Sequence, residues 1–136
     1  MTVAVQKGNG MNKKVAKFKV NTRQAIARFL LITKPMHKLM NKEIEILVEI
    51  LVLFTEEQGN FKRVEDAWKI VFSRDNMYNI RTKLNISKAV YNNRLYALRR
   101  KGIIKNNQVI PAYNPMIDPN NKSFELIFRF EIDESN

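Results

Sequence analysis

The alternation of apolar and polar positions is most regular between residues 86 and 104, where it predicts one capped helix followed by a strand. Ser87 can cap this helix, because its hydroxyl can accept from the free amides of the first turn. Apolar residues then recur at i, i+4 and i+7, which predicts a buried stripe of Tyr91, Leu95 and Leu98. Gly102 supplies the left-handed residue at which helices commonly end, so a strand can begin at once, at Ile103.

A second apolar stripe lies directly upstream and predicts a short helix that starts after Ser73. Its members recur at helical spacing and are Met77, Ile80 and Leu84. Asn85 and Ile86 leave only a tight turn before Ser87. Two short helices joined by about three residues, then a glycine and an apolar strand, are typical of a helix-turn-helix with a wing.

These segments resemble a winged-helix domain that covers residues 41–132. The resemblance is carried by the runs Asn85-Ile86-Ser87, Arg94-Leu95, Leu98 and Arg100-Lys101-Gly102-Ile103-Ile104. It implies an α+β fold with a helical core, a helix-turn-helix and a C-terminal β-hairpin or wing. We therefore expect a basic N-terminal arm over residues 1–20 and a winged-helix-type domain over residues 21–136.

The segment from Ile44 to Phe54 is the most apolar in the chain. Nine of its eleven residues are apolar, and only Glu45 and Glu49 mark a polar edge. A surface helix normally shows a narrower apolar stripe, so this helix is either the central core helix or an assembly face as well. We favour the core interpretation, with Asn41 as the N-cap.

Two further helices are predicted on either side of this segment. One runs from Asn21 to about Thr33, and Pro35 ends it because a proline disfavours the helical conformation of the residue before it, Lys34. The other is indicated by apolar residues at helical spacing, namely Phe61, Val64, Trp68, Val71 and Phe72. Trp68 is interpreted as an anchor of the core.

Strand patterns occupy the C-terminal part of the chain. The wing is predicted from Ile103 to Tyr113, with a turn at Asn106-Asn107. The most regular strand pattern follows later, where Phe124, Leu126, Phe128 and Phe130 alternate with Glu125, Ile127, Arg129 and Glu131. This alternation predicts a strand with one aromatic face turned inward.

The N-terminal arm begins with about fourteen residues rich in turn-forming residues, which cannot bury an apolar face and should be disordered alone. Ala16, Phe18 and Val20 then alternate with Lys17 and Lys19. This alternation predicts a short edge strand or an arm that lies on a partner.

The formal net charge of +11 is distributed unevenly. Residues 1–40 carry nine Lys or Arg and no acid, and residues 71–105 carry nine against one, whereas residues 41–70 and 106–136 are acidic overall. A polyanion would therefore meet the arm and the helix-turn-helix, unless the basic face is simply solvated. The candidate surface for nucleic acid or protein partners comprises Lys13, Lys14, Lys17, Lys19, Lys88, Asn92, Arg94, Arg99, Arg100 and Lys101.

The sequence offers little that points to catalysis. It contains no cysteine and a single histidine, His37, and a lone histidine is more often packed or on the surface than catalytic. No phosphate-binding loop or nucleophile elbow occurs, and no N-terminal segment has the apolar core of a signal peptide or membrane span. We expect a soluble non-enzyme with no cofactor, no metal, no small-molecule substrate and no membrane partner.

The whole chain resembles small winged-helix proteins of tailed bacteriophages, particularly the crAss-like phages of gut Bacteroides. The matching segments are Ile44-Glu45-Ile46-Leu47, Asn92-Asn93-Arg94-Leu95, Ile110-Pro111, Asn114-Pro115 and the closing Phe128-x-Phe130-x-Ile132. The resemblance implies a structural subunit of the virion, in a ring of the head-to-tail connector or tail, whose partners are copies of itself and other virion proteins. The alternative is a DNA-binding regulator or replication protein in the host cytoplasm, with double-stranded DNA as the partner. Against that alternative, the stretch Asp118 to Asn121 offers a wing tip with one acid and no cation.

Overall fold

The computed structural model describes residues 2–8, 11–118, 120–121 and 123–134, with side chains from Lys14 onward. The fold is α+β. In the described residues it consists of β1 (Thr2–Gly8), β2 (Met11–Lys17), α1 (Thr22–Ile32), α2 (Lys34–His37), α3 (Asn41–Glu57), α4 (Val64–Val71), α5 (Arg74–Leu84), α6 (Lys88–Arg100), β3 (Ile104–Lys105) and β4 (Gln108–Val109). We refer to residues 21–118 as the body and to residues 123–134 as the tail.

The body is organised around α3, which contacts α1, α4, α5 and α6. These neighbours cover its apolar residues so completely that Ile46, Leu47, Ile50 and Leu51 are fully buried. The core interpretation of this segment is therefore confirmed. Because the neighbouring helices bury Ile44 to Phe54, α3 leaves no wide apolar face open for assembly, and that part of the prediction is wrong.

Trp68 anchors α4 to α3, as predicted. Its indole is buried and stacks on Phe54 with 4.1 Å between ring centroids, and Phe72 stacks on it at 5.9 Å. Offset stacking of this kind adds to the free energy gained by burying the rings. The aromatic residues therefore join the two helices at one point.

The boundaries around α2 differ from the prediction in two places. The helix predicted from Asn21 to about Thr33 is confirmed, since α1 ends at Ile32. Pro35 itself lies in the first turn of the short α2, which was not predicted, and there a missing N–H removes no hydrogen bond. Asn41 is the first residue of α3 rather than its cap. The cap is Met40, whose N–H donates to Glu43 Oε1 at 2.8 Å, so a carboxylate three residues later replaces the expected amide.

The pair α5 and α6 is joined as predicted. Ser73 Oγ accepts from the N–H of Asn76, and Ser87 Oγ accepts from the N–H of Val90 at 3.1 Å, so each helix begins at a serine cap. Asn85 adopts the left-handed conformation that turns the chain between them, with φ of 54°. The predicted stripe of α6 is confirmed, because Tyr91, Leu95 and Leu98 are all buried.

Gly102 ends α6 in the left-handed conformation, with φ of 76°, where a side chain would be strained. Its N–H donates to Arg99 O at 3.0 Å, and the N–H of Ile103 donates to Leu98 O at 3.0 Å. These two bonds form a Schellman motif, which satisfies the last carbonyl groups of the helix. The chain therefore turns directly from α6 into β3.

Strands β3 and β4 form a small antiparallel hairpin, with Ile104 paired to Val109. The predicted turn at Asn106-Asn107 is confirmed, and both residues have a positive φ, 52° and 54°. This is the conformation that a two-residue hairpin turn requires. The hairpin is shorter than the predicted wing, because the chain enters a 3-10 turn at Pro111–Tyr113.

The tail contradicts the prediction of a buried strand. The described residues 123–134 have no regular secondary structure and all are exposed. Phe128 and Phe130 of the predicted inward face are 53% and 89% exposed. The reason is that an alternating segment becomes a strand only beside another strand, and no described strand of this chain pairs with it.

The arm also differs from its prediction, because β1 and β2 form an antiparallel hairpin instead of a disordered segment. The register runs from Thr2 opposite Lys17 to Gly8 opposite Met11. The prediction weighed only burial, whereas cross-strand hydrogen bonds between β-favouring residues can order such a segment locally. The strand predicted from Ala16 to Val20 ends at Lys17.

Candidate partner-binding surface

The buried stripe of α6 fixes which of its residues face solvent. Its serine cap and its Schellman motif hold both ends, so the side opposite the stripe is presented on a rigid element. We call this side the α6 outer face. Its exposed members include Lys88, Asn92, Asn93, Tyr96, Arg99 and Arg100.

Tyr96 is a member of the α6 outer face that the sequence analysis missed. It is 63% exposed, and it follows Asn92 by four residues. This spacing, out of phase with the stripe of Leu95 and Leu98, is the signal that could have identified it. An exposed aromatic ring among cations suits stacking on a base or burial in a protein partner.

Two predicted members of the surface contribute less than expected. Arg94 is half-buried beside the stripe of α6. Lys101 Nζ lies 2.6 Å from Glu43 Oε1, and Glu43 is only 2% exposed. Because a buried carboxylate requires a partner, this ion pair gives Lys101 a role in the fold, while its side chain stays 38% exposed.

Glu49 is also part of an ion-pair network inside the body, although its sequence position indicated a polar edge. Its carboxylate binds the guanidinium of Arg23 on α1, and its Oε1 lies 3.2 Å from Lys83 Nζ on α5. One buried carboxylate thus joins three helices electrostatically. The partners lie far apart in the sequence, so no local pattern predicted this network.

His37 packs inside the body and has both ring nitrogens engaged. Nε2 lies 2.7 Å from Leu30 O, and the N–H of Leu39 donates to Nδ1 at 3.0 Å. The ring therefore carries its proton on Nε2, which donates to the carbonyl. Tyr113 meets the ring edge-on at 5.3 Å. These contacts give His37 a structural role between α1, α2 and the segment after β4.

The Tyr91 hydroxyl is buried at the start of α6. Burial raises the pKa of this hydroxyl above its usual value, and the nearby charges of Arg99 and Arg81 oppose the shift. Among the described residues the hydroxyl has no hydrogen-bond partner. The ring of Tyr91 therefore stabilises the core, whereas its hydroxyl contributes little to stability.

The arm carries the second group of predicted surface residues. Lys14 and Lys17 are exposed on β2, and Lys19 is exposed in the segment that follows it. Lys13 lies on β2, but its side chain is outside the described part of the structure. No described ion pair neutralises the three exposed lysines, so this group remains available to an acidic partner.

The tail is a third surface, and its exposure distinguishes it from the body. Phe130, Ile132 and Ile127 are 89%, 84% and 78% exposed. No backbone hydrogen bond is present for residues 124–132 among the described parts of the chain. Of these three residues, Phe130 was predicted to face inward, whereas Ile127 was assigned to the opposite face of the strand.

The body offers no clear site for a small ligand. A shallow cleft between α1, α3 and α5 is lined by Arg23, Ala27, Leu31, Asn41, Ile44, Glu45, Val48, Glu49 and Leu84. Within the described ranges, no three acidic, histidine or cysteine side chains lie together as metal ligands would. Over the same ranges, none of the helices has the length and apolar character needed to cross a bilayer.

Comparisons with protein-family models, with curated protein sequences and with solved structures gave no match to this chain. The α6 outer face, the arm and the tail are therefore interpreted from their own chemistry.

Proposed function

We propose that this chain is a non-enzymatic assembly module, in which a winged-helix body presents two terminal segments to protein partners. The winged-helix assignment is supported by the order of elements, since the capped pair α5 and α6 is followed by the β3–β4 hairpin. The observation that carries the assembly role is the exposure of the apolar tail. Phe130 and Ile132, at 89% and 84%, are almost as exposed as in an unfolded chain.

The tail is available to a partner because its residues are not part of the hydrophobic core of the body. The core is already closed by α1, α3, α4 and α6, and the tail contributes no residue to it. Burying one large apolar side chain is worth about 1.5 to 3 kcal/mol. Several such residues in one extended segment thus provide substantial free energy for association, once a partner covers them.

The resemblance to small phage proteins directs this proposal to the virion of a tailed bacteriophage. There the chain would be a structural subunit in a ring of the head-to-tail connector or tail, bound to copies of itself and to other virion proteins. A ring repeats one heterologous interface, so two different binding segments on each copy suit it. The basic arm would face DNA or acidic neighbours.

The experiment is recovery of the chain from particles. Particles purified by density gradient and washed in high salt should contain it at a fixed copy number relative to the capsid subunit, measured by quantitative mass spectrometry. A chain with Phe130→Ser and Ile132→Ser should fold but be depleted from particles, whereas the control Met36→Ser, at an exposed apolar residue of α2, should be incorporated normally. A chain found only in infected cytoplasm would contradict the structural role.

A DNA-binding regulator is the second candidate, and the α6 outer face favours it. Lys88, Asn92 and Tyr96 are exposed on the second helix of a helix-turn-helix pair, the position that meets the major groove in such proteins. The turn between β3 and β4 is also flanked by the exposed Lys105. This removes the objection that the wing tip lacks a cation, because the tip lies at Asn106-Asn107 and not at residues 118–121.

DNA titrations separate the two candidates. A reader of sequence should lose affinity steeply between about 50 and 200 mM salt and should prefer its site by roughly a thousandfold or more. For an assembly module we expect weak binding without preference. Replacing Lys88, Asn92 and Arg94 together by Ala should then change affinity no more than replacing Lys14, Lys17 and Lys19. Nanomolar binding to a selected sequence, lost on changing Asn92 or Arg94 alone, would establish the regulator instead.

A further inference from the structure

The tail has the properties of a strand that lacks its sheet. Its alternating residues are mostly aromatic or β-branched, the types that favour strands. The backbone groups of residues 124–132 form no hydrogen bond with another described segment. Such a segment is stabilised when it adds to the open edge of a sheet, because the edge satisfies its N–H and C=O groups.

The β1–β2 hairpin has the edges that such a strand needs. Its sheet contains two strands in the described structure, so each strand pairs on one side and has no described strand on the other. A two-stranded hairpin alone is marginally stable in water, and a third strand stabilises it. The hairpin can thus accept a third strand, and the tail can supply one.

The charges of the two segments select one edge of the hairpin. Strand β2 contains Lys13, Lys14 and Lys17 and no acid, whereas β1 contains a single lysine. The tail contains the acids Glu125, Glu131, Asp133 and Glu134 against one arginine. Oppositely charged residues on adjacent strands attract each other, and like charges repel. The tail therefore suits the outer edge of β2 better than that of β1.

We propose that the tail of one copy adds as a third strand to the outer edge of β2 in a second copy. Both segments are present in one chain and are not paired there, so the pairing is assigned to a neighbouring molecule. Each copy then donates its tail and accepts another, and this head-to-tail contact closes into a ring or continues as a filament. The inference rests on the proposed assembly role and specifies its interface.

Charge reversal tests this pairing in the full chain. One variant carries Lys14→Glu and Lys17→Glu on the hairpin, and the other carries Glu125→Lys and Glu131→Lys on the tail. Light scattering after size exclusion should show the parent associating with increasing concentration and each variant weakened by roughly tenfold or more, because like charges then face each other. An equal mixture of the two variants should regain association, since each contact between unlike variants is again complementary.

Two controls separate this pairing from general electrostatics and from misfolding. Lys62→Glu with Lys69→Glu reverses the same number of charges at exposed residues of the body outside the candidate surface and should leave association unchanged. Ile127→Pro removes an N–H in the middle of the pairing segment and should abolish association, whereas Ser123→Pro, before that segment, should not. Unchanged unfolding of each variant in urea establishes that the body is intact.

The outcomes distinguish this interface from the assembly role itself. A parent that remains monomeric at all concentrations, or charge-reversed variants that associate as the parent does, would overturn strand addition between copies. A mixture that fails to regain association would do the same. The proposed role in the virion would stand or fall separately, by recovery of the chain from purified particles.

Discussion

The body and the two terminal segments differ in whether their apolar and charged side chains have partners within the described chain. In the body, each apolar stripe meets another element of the same chain, and the buried carboxylates of Glu43 and Glu49 have cationic partners. In the tail, an equally regular apolar pattern meets solvent. The same kind of side chain thus stabilises the fold in one region and remains available for a partner in the other.

Two phenylalanines illustrate this difference. Phe54 is 1% exposed and stacks on Trp68, so its removal should leave a cavity. Phe130 is 89% exposed and contributes almost nothing to the core. Burial, rather than residue type, therefore decides which substitution affects folding and which affects association.

The largest effect on stability is expected from the stripe of α6. Leu98→Ala and Leu95→Ala should each lower the free energy of unfolding by about 2 to 5 kcal/mol, because each leaves a cavity between α6 and α3. Phe130→Ala should change it by less than about 0.5 kcal/mol. Urea unfolding measures all three variants. Equal stability of the Leu98 variant and the parent would show that the helix is not packed as described.

A smaller effect should follow from breaking the Glu43–Lys101 pair. Lys101→Met should lower stability by about 1 to 3 kcal/mol, because the buried carboxylate loses its cation while its second oxygen, Oε2, already lacks a partner among the described residues. Arg100→Met is the matched control on the exposed neighbour and should be nearly neutral. Equal losses of stability for the two variants in urea would show that the Glu43–Lys101 pair does not stabilise the fold.

Tyr91→Phe should be neutral or stabilising by up to about 1 kcal/mol. The hydroxyl is buried without a described hydrogen bond, so deleting it removes a desolvation penalty while the ring still fills its place in the core. Thermal unfolding and urea titration provide the measurement. A clear loss of stability would instead reveal an interaction of the hydroxyl.

Deletion of residues 1–14 should leave the stability of the body unchanged within about 0.5 kcal/mol. Association should weaken, most at low salt, because the deletion removes three lysines, the whole of β1 and the first half of β2. Thermal unfolding of the dilute monomer tests the first expectation, and light scattering at two salt concentrations tests the second. A marked fall in the melting temperature of the monomer would show that the arm packs against the core and stabilises it.

The successful predictions concern α6 and its neighbours, where the determining interactions are local. The caps at Ser73 and Ser87, the stripe of Tyr91, Leu95 and Leu98, and the stop at Gly102 all act within a few residues along the chain. Periodicity and capping chemistry are sufficient in such a segment. For the same reason, four members of the α6 outer face, Lys88, Asn92, Arg99 and Arg100, were predicted correctly as exposed.

The errors arose where a segment depends on a distant one. The ion pair of Lys101 was missed because its partner Glu43 lies 58 residues away and leaves no mark on the local pattern. The tail was assigned to the core because alternation predicts a strand without saying which strand it joins. Nothing in the pattern of residues 124–131 distinguishes a partner in the same chain from one in another chain.

Hydrogen exchange of the tail tests the division between body and termini most directly. Amide exchange followed by mass spectrometry can compare the full chain as a dilute monomer with the same chain in its assembled state. We expect the amides of α3 and α6 to be protected in both states, and those of residues 124–132 to exchange rapidly in the monomer and slowly in the assembly. Rapid exchange of residues 124–132 in both states would contradict the proposal that the tail is completed by a partner.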